Sequence, residues 1–131
     1  MRQTIIAIGL TLAMAAPAAG AIHPTYAAAL AAQAKSGRPL VVIVGAVWCP
    51  SCVRMKKELG AVQRAGTFRD VELVQIDFDK QRALSMAITK GSSRLPVVAV
   101  YWKKNGVHQR RAADAYHNGA RYRQLINQAY K

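Results

Sequence analysis

The run LVVIVGA, residues 40 to 46, limits the possible folds of this chain more than any other stretch. It is continuous, apolar and rich in β-branched side chains, and it is too short for most helices. These properties predict a strand that is buried on both faces. Strands of this kind lie at the centre of parallel or mixed sheets, so the run indicates a sheet that other elements cover.

The order of the other elements completes this prediction. Strand patterns follow at residues 71 to 79 and 96 to 102, and the turn signal Lys-Lys-Asn-Gly leads to a hairpin partner at 107 to 113. Helical patterns cover residues 23 to 39, 50 to 64, 80 to 90 and 117 to 131. A β-α-β crossover followed by an antiparallel hairpin predicts an α/β sandwich, in which helices cover a mixed sheet of about four strands.

The N-terminus has the layout of a secretory signal peptide. Arg2 precedes an apolar run over residues 5 to 16, and small residues follow as far as Ala21. We therefore predict cleavage after Ala21, with a signal peptide at 1–21 and one domain at 22–131. The alternative is a retained membrane anchor, although the run is shorter than the roughly 20 residues that span a bilayer. Export most simply leads to a bacterial periplasm, where disulfides persist.

The chain is strongly basic, with a formal net charge of +13. Such a surface attracts polyanions, which makes a basic binding module for anionic envelope components or a partner protein the alternative function. The basic residues are scattered, however, and no recognisable nucleic-acid motif accompanies them, so we expect no binding of nucleic acid. A solvated surface that keeps the protein soluble explains the charge more simply.

The chain's two cysteines lie in the motif VWCPSC, residues 47 to 52, directly after the buried strand. Cys49 is expected at or beside the N-cap of the next helix, with Pro50 and Ser51 at the helix start, where proline is well tolerated. The free N–H groups of that turn and the helix dipole lower the pKa of the Cys49 thiol, so Cys49 is the predicted nucleophile. Cys52 lies nearly one turn later on the same face and is the predicted resolving thiol.

The residues around the cysteines suit an accessible site. The indole of Trp48 is expected to shield one side while Cys49 stays reachable, which is compatible with ordinary packing at a strand end. Arg54, Lys56 and Lys57 follow on the same helix and add positive potential. Because salt screens exposed charges, we assign these three residues a minor role.

Other uses of two cysteines fit less well. A zinc site would need ligands from His23, His108 and His117, which lack zinc-site spacing, and attachment of a c-type haem needs His where Val53 stands. A structural disulfide across two residues closes a very small loop and stabilises little. Redox exchange therefore leads, and we expect no metal and no cofactor besides the disulfide itself.

From about Leu40 to the C-terminus the sequence resembles the thioredoxin superfamily. The resemblance depends on VVIVGAVWCPSCVRMKKE, LVQIDFD and RLPVVAVYWKKNG, which look like the family's central strand with its active-site helix, its next strand and its hairpin. It implies that Pro96 is the family's cis-proline, which packs against the disulfide and helps to hold a substrate chain. Leu95 would then pair with that substrate through its backbone, whereas a trans proline at a strand start is the alternative for Pro96.

Two core positions and the dipeptide between the cysteines depart from the pattern of thioredoxins. Many thioredoxins carry a buried Asp and a Lys that assist the proton transfer of the resolving thiol, whereas this chain has Ile43 and an apolar residue near Leu73. Proton transfer at Cys52 would then use water or another group. Pro-Ser between the cysteines is similar to the sites of exported members, including reductants in cytochrome c maturation.

The resemblance implies a thiol-disulfide oxidoreductase that acts on cysteine-containing proteins, and the predicted signal peptide implies that it is exported. Because no stretch resembles the large helical insertion of the dedicated periplasmic disulfide oxidase, we expect a reductase or isomerase. That role needs an external electron donor, for which a membrane thiol transporter is expected. We expect the protein to act as a monomer.

Overall fold

The computed structural model describes residues 20–131. They form an α/β fold with one mixed sheet and helices on both of its faces. The strands are β1 (Ile22–His23), β2 (Leu40–Gly45), β3 (Glu72–Asp77), β4 (Val97–Lys104) and β5 (Val107–Asp114). The helices are α1 (Tyr26–Ser36), α2 (Pro50–Arg64), α3 (Arg82–Thr89) and α4 (Gly119–Asn127), with a 3-10 turn at Gln128–Tyr130.

The sheet has the order β1-β3-β2-β4-β5. Strand β2 lies at its centre, parallel to β3 and antiparallel to β4, as its continuous apolar sequence predicts. The β4–β5 hairpin turns at Asn105 and Gly106, whose φ angles are both positive, 52° and 76°. This is the backbone that an Asn-Gly turn between antiparallel strands adopts.

Each face of the sheet carries its own apolar cluster. The face below α2 and α4 buries residues of alternating strand positions together with both helices, namely Val41, Ile43, Leu73, Val98, Val100, Met55, Leu59, Phe68, Tyr122, Leu125 and Ile126. The other face packs against α1 and α3 with Val42, Val44, Val74, Ile76, Val97 and Ala99. Since successive strand residues point to opposite faces, one uninterrupted apolar run in β2 supplies both clusters.

The N-terminal segment differs from the prediction. The helix predicted over residues 23 to 39 was expected to include His23. Instead, Ile22–His23 form a fifth, short strand that pairs with Leu73 and Val74 of β3. The helix begins only at Tyr26, because Thr25 is extended and its hydroxyl accepts a hydrogen bond from the Ala28 N–H. The sheet therefore has one strand more than the sequence pattern indicates.

The C-terminal helix also begins later than predicted. Asn118 caps α4 by accepting a hydrogen bond from the Arg121 N–H, so His117 lies just before the helix. His117 is buried, its Nδ1 lies 2.8 Å from the Ala115 carbonyl oxygen, and burial lowers its pKa.

Across residues 20–131 no helix has the length and apolar character needed to cross a bilayer.

Candidate active site

The two cysteines lie where strand β2 gives way to helix α2. Cys49 is the N-cap residue of α2, with extended backbone angles, and Pro50 occupies the first helical turn. The Cys52 N–H donates a hydrogen bond to Cys49 Sγ at 3.3 Å. A sulfur in this position receives an N–H that has no helical partner and lies at the positive end of the helix dipole. This geometry stabilises negative charge on Cys49.

Cys49 and Cys52 are joined by a disulfide, with Cα atoms 5.2 Å apart. Both residues are largely buried, at 6% and 8% exposure, in a small cluster with Ala46 that Phe78 and Leu95 border. Gly45 lies directly below the second cysteine, since a Cβ atom there would be 3.5 Å from Cys52 Sγ. The glycine therefore leaves space beside the sulfur of Cys52.

Ser51 connects the cysteine motif to the loop before β4. Its hydroxyl lies 3.4 Å from Cys49 Sγ and donates a hydrogen bond to the Leu95 carbonyl at 3.3 Å. Cys49 Sγ itself lies 3.6 Å from the same carbonyl oxygen. Ser51 is thus placed to donate to a thiolate at Cys49 once the disulfide is reduced.

The Leu95–Pro96 peptide bond is cis, the conformation that the family resemblance implies. Leu95 packs against the cluster of Cys49 and Cys52, and Pro96 is buried at the start of β4. Leu95 and Pro96 lie more than 40 residues after Cys52 in the sequence. The structure places both of these predicted site residues beside the disulfide.

Trp48 lies beside the disulfide with 63% of its surface exposed. Its indole N–H donates a hydrogen bond to Asp79 Oδ2 at 2.7 Å, which connects the ring to the turn after β3. Val47 and Val53 are also exposed apolar residues at this end of the sheet, Val47 at 77%. Single exposed apolar residues are ordinary, but these three border one reactive group.

Below the motif, apolar side chains occupy the two core positions at which many thioredoxins carry a titratable Asp and Lys. Ile43 and Leu73 are both buried in the cluster under α2. Ile43 is paired with Gln75 in the neighbouring strand, and Gly45 with Asp77. Asp77 Oδ1 accepts hydrogen bonds from the N–H groups of Asp79 and Lys80, so this carboxylate stabilises the turn after β3.

The histidines lie in separate surroundings. His23 Nε2 is 2.6 Å from Glu72 Oε2 in a buried pair, and His117 is bonded to the Ala115 carbonyl. Within residues 20–131 no group of three or more His, Cys, Asp or Glu side chains is placed to hold a metal ion.

Comparison with known proteins decides the family. A family model described as thioredoxin-like matches residues 21–102. The chain belongs to the thioredoxin-like family. No curated protein matches its sequence.

Solved structures of thioredoxins share this thioredoxin-like fold. Chloroplastic thioredoxin z is 24% identical, with a TM-score of 0.58, and the match covers 77% of this chain and 86% of that one. Trichomonas vaginalis thioredoxin is 21% identical, with a TM-score of 0.62 and coverage of 87% and 100%. The Edwardsiella tarda protein Trxlp is 24% identical, with a TM-score of 0.59 and coverage of 81% and 98%. At these identities the likeness concerns the fold.

Sequence reasoning missed Gly45 and two hydrogen bonds of this thioredoxin-like site. Gly45 was assigned only to the buried strand, although it sets the space below Cys52, and the bond from Trp48 to Asp79 was not expected. The link from Ser51 to Leu95 was also missed. A Gly at the end of an otherwise β-branched strand was the available signal for the first of these, because such a glycine often marks a close approach.

Proposed function

We propose that the protein is an exported thiol-disulfide oxidoreductase that exchanges the Cys49–Cys52 disulfide with protein substrates, as a reductase rather than an oxidase. One observation supports this most strongly. The disulfide joins the N-cap of α2 to the next turn, and the loop of Leu95 and Pro96 lies beside it. The N-cap position favours one thiolate over the other, which a redox cycle with two distinct sulfurs requires.

In the reducing direction, the Cys49 thiolate attacks one sulfur of a substrate disulfide. A bond forms between Cys49 and that sulfur, and the other substrate sulfur leaves as a thiolate that takes up a proton. The Cys52 thiolate then attacks Cys49 Sγ, which re-forms the protein disulfide and releases the second substrate thiol. Two electrons pass to the substrate in each cycle.

The surroundings support binding of an extended substrate segment. Trp48 is exposed and hydrogen-bonded to Asp79, Leu95 borders the cluster of the two cysteines, and Pro96 follows Leu95. We assign these three residues to substrate binding. The Leu95 carbonyl already accepts the Ser51 hydroxyl, so a substrate N–H would share or replace that bond.

The cellular setting is part of the proposal. The predicted signal peptide lies mostly outside the described residues, and the first strand begins at Ile22, the residue after the predicted cut. A reductase in the periplasm needs a supply of electrons, for which we propose a membrane thiol donor. Known thioredoxin-like proteins span about −270 to −120 mV, roughly 7 kcal/mol of disulfide stability, so the potential decides the direction of exchange.

Trapping of mixed disulfides tests the two roles. Cys52→Ser leaves the attacking thiol without its resolving partner, so it should accumulate covalent complexes with substrate proteins, detected on non-reducing gels. Cys49→Ser should accumulate almost none. Equal trapping by both variants would contradict the assignment, and a reduction potential near the oxidase end would contradict the reducing direction.

The net charge of +13 supports the second candidate, a basic binding module on the same fold. Its distinguishing result is salt-sensitive binding to anionic envelope components that survives replacement of both cysteines. Absence of insulin reduction by the unmodified protein would have to accompany that result.

Gel filtration at several concentrations tests the expected monomer.

A further inference from the structure

A cavity of about 670 Å³ lies between α2 and the ends of strands β2 and β3. Its volume is within the range of pockets that bind small organic molecules. The lining residues, all within 20–131, include Cys52 and do not include Cys49. The cavity therefore meets the disulfide on the side of Cys52, the residue that resolves the mixed disulfide in the protein-reducing cycle.

Two residues of β2 border this cavity. Gly45 has no side chain at the point where a Cβ atom would lie 3.5 Å from Cys52 Sγ. Ile43, two residues earlier on the same face, borders the cavity with an apolar chain. Gly45 thus leaves space on one side of Cys52, which otherwise packs in the cluster with Ala46 and Cys49.

The wall combines apolar and charged groups. Met55, Leu59 and Tyr122 contribute apolar surface, and Tyr122 is 1% exposed. This part of the wall suits the apolar portion of a small organic molecule.

The charged side chains of the wall are mostly positive. Lys56 and Lys57 on α2 and Lys80 after β3 contribute three ammonium groups, against the single carboxylate of Asp77. Asp77 already accepts two backbone hydrogen bonds in its turn. Clefts lined by one sign of charge concentrate ligands of the opposite sign. The matching occupant is a small organic anion with a partly apolar body.

Exchange chemistry favours attack at Cys52 when a thiol can reach it. A disulfide breaks faster when the departing sulfur is the more acidic thiol. At this site the departing sulfur would be Cys49, which receives the Cys52 N–H and lies at the N-terminus of α2. Attack at Cys49 would instead expel the sulfur of Cys52, which lacks the N-cap position.

We propose that the cavity is an entrance through which small anionic thiols reach Cys52 and reduce the disulfide directly. The proposal rests on the oxidoreductase function and adds a class of electron donor to it.

The step balances without another reactant. A thiolate RS⁻ attacks Cys52 Sγ, a bond forms between R–S and Cys52, and the bond between the cysteines breaks with its electron pair on Cys49. A second RS⁻ then attacks the sulfur of the R–S group, which releases RSSR and leaves a thiolate at Cys52 that takes a proton from water. Two thiols are oxidised and one protein disulfide is reduced.

Single-cysteine variants test the entrance without any protein substrate. Cys49→Ser leaves Cys52 as the chain's one thiol, and Cys52→Ser leaves Cys49. Each is mixed with 5,5′-dithiobis(2-nitrobenzoate), which is anionic, or with uncharged 4,4′-dithiodipyridine, and the reaction rates are followed by absorbance. In Cys49→Ser, replacing Lys56, Lys57 and Lys80 by Gln should lower the anionic-to-neutral rate ratio about 10-fold. In Cys52→Ser the same replacements should change it far less.

A control with the same change in charge is available. Lys35, Lys103 and Lys104 lie towards the opposite end of the sheet from the disulfide. Their replacement by Gln should leave the ratio at Cys52 within about twofold of the parent, because the field of a cleft is local. Equal losses in both triple variants, or a Cys52 thiol that reacts with neither reagent while Cys49 reacts, would overturn the proposal.

A measurement on the unmodified protein covers the case in which the variants fold poorly. The oxidised protein is mixed with glutathione, quenched rapidly with acid, and mapped by mass spectrometry. Adducts on Cys52 support the entrance, whereas adducts on Cys49 alone, or none, overturn it. Failure of the oxidoreductase function would appear separately, as an unmodified protein that reduces no insulin.

Discussion

Replacing Ser51 by alanine removes a hydroxyl that lies 3.4 Å from Cys49 Sγ and 3.3 Å from the Leu95 carbonyl oxygen. In the reduced protein this hydroxyl can donate to the Cys49 thiolate. A hydrogen bond to an ionised group contributes about 1.5 to 3 kcal/mol. Here the donor is shared with Leu95 and the distance to sulfur is at the long end, so we take about 1.4 kcal/mol. That amount corresponds to about one pKa unit.

We therefore expect Ser51→Ala to raise the pKa of Cys49 by about one unit. The Cys52 N–H still donates to the sulfur in the variant, so the pKa should stay below that of a free thiol. The same loss of thiolate stabilisation should make the potential about 30 mV more reducing, measured at a pH where Cys49 is ionised in both proteins. Thiolate absorbance against pH gives the first quantity, and equilibration in dithiothreitol buffers gives the second.

Two further variants separate the hydroxyl from general disturbance of the loop. Ser51→Thr keeps the donor and should restore most of the pKa. Ser92→Ala removes a hydroxyl that bonds to Arg94 instead, and should leave the pKa of Cys49 unchanged. A pKa of Cys49 in Ser51→Ala within about 0.2 units of the parent would refute the argument that Ser51 stabilises the thiolate.

Three other outcomes concern stability. Burial would raise the pKa of Glu72, but hydrogen bonds and charge, above all from His23, lower it. The ionised Glu72 therefore stabilises the fold above pH 4.5, and this stability is lost as the pH falls through the lowered pKa. Glu72→Gln should flatten that acid limb in urea unfolding at several pH values, and an unchanged limb would contradict this. Burial lowers the pKa of His117, so the unfolded chain takes up the proton first as the pH drops. The free energy of unfolding should therefore decrease as the pH falls below 6.5, by at most about 1.4 kcal/mol per pH unit. His117→Phe should remove this slope; a persisting slope belongs to another group. Phe68→Ala should cost about 3 to 5 kcal/mol of unfolding free energy by urea titration, because Phe68 is fully buried against Tyr122; a loss below about 1 kcal/mol would contradict its place in the core.

The central part of the fold follows from the sequence because its signals are local and strong. The apolar run of β2 is too short for a helix, and the motif after it combines an N-cap with a first-turn proline. These two elements place Cys49 and Cys52 without any knowledge of distant residues. The Asn105-Gly106 turn fixes the β4–β5 hairpin in the same way.

The N-terminal strand has no such signal. Two residues are too few to show a period, and His23 is held in the sheet by pairing with β3 and by its contact with Glu72. Glu72 for its part reads as an exposed strand residue, because its partner lies 49 positions earlier in the chain. Contacts between residues so far apart are set by tertiary packing, which a single sequence does not display.

The cavity was not predictable for a related reason, since its walls come from α2, β2, β3 and α4 together. It nevertheless bears on a question that the sequence raised. Ile43 stands where many thioredoxins carry a carboxylate for the proton of the resolving thiol, and among residues 20–131 the one carboxylate that lines the cavity is Asp77, which accepts two backbone hydrogen bonds. A cavity of about 670 Å³ with charged groups in its wall is large enough and polar enough to hold water beside Cys52. The space that gives small thiols access to this sulfur thus also gives it a route for its proton, so filling the space should slow both reduction by small thiols and release of protein substrates. Gly45→Val places methyl groups at the sulfur of Cys52 and makes that comparison, because it changes no charge.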